Sequence, residues 1–377
     1  MIAIGKKIYS DILADFGATE PEILELLAYN NNFFDRELLE SVSFPLADEP
    51  FIEAWEMYGR EAQEKGTFAV LRDRLVQFRF PIQSGISRTE SYRSATLRGK
   101  WVEVPQAGLT LACPEKLELY LHQTLAGKIP ILFTRHRPDF VTLVQALAHH
   151  NEPGEIPASM GACLIKGYNN WDRIQFYRNK WQEENPLQCS EKDWPEEFRK
   201  LIPRKELYQD TFIILSDGDY SGITAEEMKL TWEKWREMSL VIRREHEATH
   251  YFTLRVFGLA RNHILDELIA DFMGIIAATG SYRSHWFLRF LGLEDYPAYR
   301  EGGRLENYLC HTKLSQGAFK ILQRLVKSAA ENLEQIYHQY GEGIDWQPVV
   351  FTGLTMIDLV SKDAEKFLRN SGASNYL

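Results

Sequence analysis

Cysteine is scarce in this chain and follows no pattern. Cys113, Cys163, Cys189 and Cys310 stand far apart with no CxxC spacing, so neither a thiolate zinc site nor a redox pair is indicated, and the expectation is four reduced, mostly structural residues. Long apolar runs are missing as well. No stretch approaches the roughly 20 apolar residues of a membrane span, and the opening MIAIGKKIYSDILADFG lacks the uninterrupted apolar segment of a signal peptide. The expectation is a cytoplasmic protein without a membrane partner. A basic excess is also lacking: 43 Lys and Arg face 53 Asp and Glu, for a net charge of −10, which argues against nucleic acid as a partner. Neither an internal repeat nor a low-complexity tract breaks the chain. What it does have, 45% hydrophobic and 12% aromatic residues over 377 positions, suffices for a sizeable core.

The pattern predicts an α+β, mostly helical protein in three consecutive portions. Residues 1–70 read as a helical N-terminal portion, through Ile8-Ile12-Leu13, Glu22 to Leu27 and Phe51 to Tyr58. Residues 71–205 read as mixed α/β: strands at Leu75–Phe80, Trp101–Val104, Ile129–Thr134 and Ala162–Lys166, helices at Pro114–Leu125 and Pro138–His149, and an exposed loop at Arg88–Gly99. Ala162–Lys166 with its flanking loops is either a strand that holds extended substrate or ordinary turns around a short strand. Residues 206–377 form a mainly helical portion, entered through a strand at Thr211–Leu215.

The chemistry concentrates in that last portion. His246-Glu247-Ala248-Thr249-His250 is an HExxH sequence. Residues four apart share a helix face, so the two imidazoles converge on one metal ion, and Glu247 projects beside them as general base for a water at that metal. Thr224-Ala225-Glu226-Glu227 reads as a capping box opening this helix, with Gly258 as its stop. A second helix is predicted from Asn262-His263, capped by Asn262, to Thr279-Gly280. It carries Asp266, Glu267 and Asp271 in an apolar run, where carboxylates need partners.

These residues resemble the Glu-zincin group of metallohydrolases, in which HExxH is followed on the next helix by a Glu ligand within ExxxD. The resemblance implies zinc held by His246, His250 and Glu267, with Asp271 orienting the first histidine. It also implies a short edge strand ahead of the motif helix, for which Thr211–Leu215 is the candidate. The interval from His250 to Glu267 is somewhat shorter than in the best-known members, which a tight loop around Gly258 to Asn262 accommodates. The metzincin pattern does not fit, because Thr253 and Val256 occupy its Gly and His positions. Asp266 and His263 remain alternative third ligands. Arg300, Arg304, Tyr308 and His311 are the candidates for stabilising an oxyanion, and Tyr308 and His311 match the residue types such enzymes use.

The expected activity is zinc-dependent hydrolysis of an amide in a peptide or small amide substrate. One alternative is a non-haem iron or di-iron oxidase, since Glu247 to His250 is also ExxH, although no second ExxH accompanies it. The other is a non-catalytic binding protein on a zincin scaffold.

Overall fold

The computed structural model describes residues 2–31, 34–100, 108–184, 193–259, 261, 263–309, 313–341, 346–351 and 354–370. The fold is α+β and mostly helical, and its residues group into two compact units, 47–218 and 1–46 with 219–377. The grouping is not that of three consecutive portions, because the first helices pack with the last. These are α1 (Ile2–Asp15) and α2 (Glu20–Tyr29). The Tyr9 hydroxyl donates to Asp358 and the Tyr29 hydroxyl donates to the Tyr308 carbonyl.

The 47–218 unit runs α3 (Ile52–Lys65), α4 (Thr67–Arg74), α5 (Glu90–Arg98), β1 (Leu117–Thr124), β2 (Gly127–Thr134), α6 (Arg137–Leu147), β3 (Ala162–Asn169), α7 (Trp171–Glu184), α8 (Trp194–Leu201) and β4 (Gln209–Ser216). The sheet order is β1-β2-β4-β3, with β2 and β4 parallel and the outer pairs antiparallel. Trp55, Phe78, Phe140, Phe212 and Ile214 belong to its core. Inside it Asp210 accepts from Trp55 Nε1, Asn170 Nδ2 and Arg173 Nη1.

Several expectations are corrected here. Pro114–Leu125 holds no α-helix: a 3₁₀ turn at Pro114–Lys116 leads into the strand β1, because Leu117, Leu119 and Leu121 recur every second residue and pair in register with β2. Leu75–Phe80 contains a short 3₁₀ helix, Val76–Arg79, with both Gln77 and Phe78 buried. Arg88–Gly99 contains α5, capped by Thr89 and ended by left-handed Gly99. The strand ahead of the motif is no edge strand: β4 pairs on both sides, with β2 and β3, and it is Ile213, Ile214 and Leu215, all fully buried, that place it centrally. Trp101–Val104 lies outside the described residues.

The other unit continues with α9 (Trp232–Phe257), α10 (Ile264–Thr279), α11 (Ser284–Leu291), α12 (Gln316–Tyr340), α13 (Met356–Val360) and α14 (Ala364–Asn370). The Thr224 capping box forms, with Thr224 N–H and Oγ1 donating to Glu227, but it closes only one turn. Lys229 then turns left-handed, and α9 starts afresh on Thr231, whose hydroxyl accepts from Lys234 N–H. Among the described residues no helix is long and apolar enough to cross a membrane.

Candidate metal centre

Two antiparallel helices build the site rung by rung. α9 ends at Gly258, left-handed at φ 65°, and α10 begins at His263, whose Nδ1 accepts from Leu265 N–H. His263 is thus the cap, while the predicted cap Asn262 lies outside the described residues. The His263 Nε2 reaches the Tyr29 carbonyl at 3.0 Å, so this histidine ties α10 to α2 and is no ligand. The helices approach closely where Gly274 faces Ile242: a Cβ on Gly274 would stand 2.7 Å from the Ile242 carbonyl oxygen. One turn further along each helix His246 meets Asp271, and one turn beyond that His250 meets Glu267. The i, i+4 spacing on α9 is matched by 267, 271 and 274 on α10.

The polar atoms converge closely. His246 Nε2 lies 3.1 Å from His250 Nε2. Glu267 places Oε2 3.4 Å from His246 Nε2 and Oε1 3.4 Å from His250 Nε2. These three residues can hold a metal ion. Asp266, the competing carboxylate, turns away to Arg261 Nε at 3.1 Å, as the angle of about 100° between neighbouring helical positions requires. Burial pushes its pKa up to about 6 against the pull of Arg261.

Around this triad stands a second set of groups. Asp271 Oδ1 lies 2.8 Å from His246 Nδ1 and accepts from the Tyr220 hydroxyl, which is itself 2.9 Å from that nitrogen. Facing a carboxylate, Nδ1 carries the proton, which leaves Nε2 as a lone pair. Asp271 Oδ2 accepts from Arg304 at 3.0 Å, and the same guanidinium is 3.4 Å from Glu267 Oε2. Arg304 also donates to Ser221 Oγ and, through Nε at 2.7 Å, to the Tyr308 hydroxyl.

Electrostatics follow from these contacts. Burial opposes ionisation of Asp271, but Arg304, His246 and Tyr220 outweigh it and hold the carboxyl at about 2. Burial likewise opposes the Glu267 charge, and His250, His246 and Arg304 keep it below the usual carboxylate range. For His250 burial works against the imidazolium, yet Glu267, with Glu247 and Asp266 behind it, raises the pKa to about 9. Two carboxylates are therefore balanced by one guanidinium and one imidazolium. Glu247 is half-buried, and among the described residues its carboxylate has no hydrogen-bond partner.

The structure brings His246, His250, Glu267, Asp271, Glu247 and, through Arg304, Tyr308 to one place. Arg300 is engaged elsewhere, donating to the Arg289 carbonyl at 2.7 Å and pairing with Glu294. His311 lies outside the described residues. Tyr220 is a member that sequence reasoning missed: it sits in an Asp- and Gly-rich turn between β4 and α9, and no periodicity marks it.

A family model described as "Family of unknown function (DUF7005)" matches residues 11–364. No curated protein and no solved structure matches the chain.

Proposed function

The chain belongs to the DUF7005 family, whose function is unknown, so its chemistry has to be read from its own residues, and we propose that it is a zinc-dependent hydrolase of amide bonds in peptides or small amides. The observation that carries this is spacing. The separations of 3.1, 3.4 and 3.4 Å among His246 Nε2, His250 Nε2 and the Glu267 oxygens compare with about 3.3–3.4 Å between ligands of a tetrahedral zinc with bonds of about 2.0–2.1 Å. Two imidazole lone pairs and a carboxylate aimed at one point repel each other unless a cation lies among them. A proton on His250 serves when no ion is present, and a dication serves better.

When bound, zinc supplies a Lewis acid that polarises a carbonyl and brings the pKa of a water towards neutrality. Glu247 takes the proton of the attacking water on its carboxylate and returns it to the leaving amine. Asp271 holds the His246 Nδ1 proton and so fixes the ring's tautomer. Arg304 keeps Asp271 and Glu267 ionised. The Tyr308 hydroxyl accepts from Arg304, and its own proton is engaged by no described residue, which suits it to donate to an oxyanion. A cytoplasmic setting belongs to the same proposal, supported by Cys113 and Cys163, which form no disulfide.

The test is metal content by mass spectrometry on untagged protein, beside His246→Ala and Glu267→Ala, followed by a peptide-library screen of the wild type and Glu247→Gln. About one zinc per chain, lost in both ligand variants, with turnover abolished in Glu247→Gln while zinc is retained, is the expected result. Iron in its place would redirect the assignment to an oxidase. No metal after reconstitution would leave a binding protein.

A further inference from the structure

The 47–218 unit holds a cavity of about 550 Å³ between α5, the end of α6 and the outer edge of β3, a size usual for small-molecule sites. Its lining contains Arg93, His150 and Lys166 and no acidic residue, in a chain whose net charge is −10. The neutral polar groups of the wall already have partners, Ser87 among them, which donates to the Glu152 carboxylate. The Tyr92 hydroxyl donates to Asn151, Thr96 Oγ1 to the Tyr92 carbonyl, the Tyr168 hydroxyl to Gln77, and Asn169 bonds Thr96 and Gln209. Neither Arg93 nor Lys166 forms an ion pair or side-chain hydrogen bond with a described residue. Glu90, on the same helix as Arg93, is ion-paired with Arg98, and Arg93 acts on it only as the weaker of its two charge partners. The groups with bonds left to give are therefore cationic donors, beside apolar Leu97, Leu147 and Ile165.

The backbone departs from regular geometry at two of these positions. From Ile165 to Tyr168 β3 takes one residue more than β4 takes from Phe212 to Asp210, a bulge at Lys166 and Gly167 with Gly167 at φ 66°. His150 and the fully buried Asn151 are both left-handed, at φ 56° and 61°. Asn151 is locked there by donating to the Gln77 and Phe80 carbonyls. Left-handed non-glycine residues cost energy and concentrate where side chains must be aimed. The bulge also interrupts the flat ladder that an added peptide strand needs, so the expectation that this strand holds extended substrate finds no support in its outer edge.

We propose that this cavity binds a small organic anion, a carboxylate or phosphate carried on an apolar body, with Arg93 and Lys166 taking the charge and Leu97, Leu147 and Ile165 the body. The probe is the fluorescent anion anilinonaphthalene sulfonate, titrated into the full-length protein and the double variant Arg93→Gln, Lys166→Gln, with uncharged phenylnaphthylamine as its neutral counterpart. Both substituted side chains are exposed, so the melting temperature should not move. Saturable binding of the sulfonate, weakened about tenfold or more in the double variant while the neutral probe binds both proteins alike, is the expected result. Displacement by phenyl phosphate or by phenylacetate then tells which anion the site prefers. Sulfonate binding that the double variant leaves unchanged, or weakens no more than it weakens the neutral probe, would overturn the proposal, as would displacement by neither competitor.

Discussion

At the scale of single residues the candidate metal centre is a chain of proton and charge partners, and each link has a distinct consequence. Tyr220 donates to the carboxylate that faces His246. Tyr220→Phe removes one of the donors that hold Asp271, so zinc affinity should drop by about tenfold, with a stability loss of only about 1 kcal/mol in chelator. Competition against a chromophoric chelator measures the first, and unchanged affinity would remove Tyr220 from any part in orienting His246. Arg304 is buried against two carboxylates, and Arg304→Met leaves both with less compensation. Urea unfolding in chelator should show a loss of about 3 kcal/mol, smaller with zinc present because the ion supplies the missing positive charge. An equal loss in both conditions would mean that the guanidinium and the ion do not share those carboxylates. His246 and His250 were legible in the sequence because their i, i+4 spacing sets them on one helix face, whereas Glu267 and Asp271 were singled out by the resemblance to the Glu-zincin pattern on the next helix. Tyr220 and Arg304 were not, since their approach depends on chain crossings that no local spacing encodes. Arg304 could be named only as one cation among several, and Glu267 separates from Asp266 only through a rotation of one helical step.

At the scale of elements the separation of α9 and α10 is set by Gly274. Gly274→Ala gains helix propensity of about 1 kcal/mol but sets a methyl against the backbone oxygen of Ile242. A main-chain atom cannot rotate away, so the clash wins and the net change should be destabilising by about 1–2 kcal/mol. Zinc binding should weaken with it, because the ligand rungs lie one and two turns along the same seam. An alanine variant as stable as wild type would show that the seam yields. The start of α10 carries a pH dependence of its own. Burial and nearby Arg261 hold His263 at about 4, below its ordinary 6.5, in keeping with an Nδ1 that accepts from Leu265. As pH falls through 6.5 the unfolded chain takes up this proton before the folded one. Stability from this residue is therefore whole above about 6.5 and declines by up to about 1.4 kcal/mol per pH unit towards 4. His263→Asn keeps a cap without the titration, and its stability profile should be flatter across that window by that amount. The α9 and α10 bodies were readable from apolar periodicity, and Gly258 and Gly280 marked their ends. The misread elements are those where local preference and pairing disagree: Leu and Glu in β1 favour a helix, and only the hairpin partner β2 decides for a strand. The polar composition of α5 concealed its Thr89 cap and Gly99 stop in the same way.

At the scale of the whole molecule the chain leaves the first unit after residue 46 and returns to it at 219. The intervening segment has its own sheet, and its core cluster runs from Phe51 to Ile214 without a residue from outside. Residues 47–218 expressed alone should therefore unfold cooperatively in urea. The unit carrying the candidate metal centre is different, because its two segments are far apart in sequence. Tyr29 on α2 gives its hydroxyl to the Tyr308 carbonyl and its own carbonyl to His263, one bond supporting the Tyr308 turn and the other the cap of α10. The 219–377 segment alone lacks both, and it uncovers the face of α12 against which α2 packs. Joining residue 46 to residue 219 through a short flexible linker should restore cooperative unfolding and zinc uptake, and 219–377 by itself should show neither. Zinc bound by the C-terminal segment alone with wild-type affinity would mean that α9 and α10 suffice for the site. Failure of the joined protein together with success of 47–218 would mean that the metal-site unit needs the inserted segment to fold.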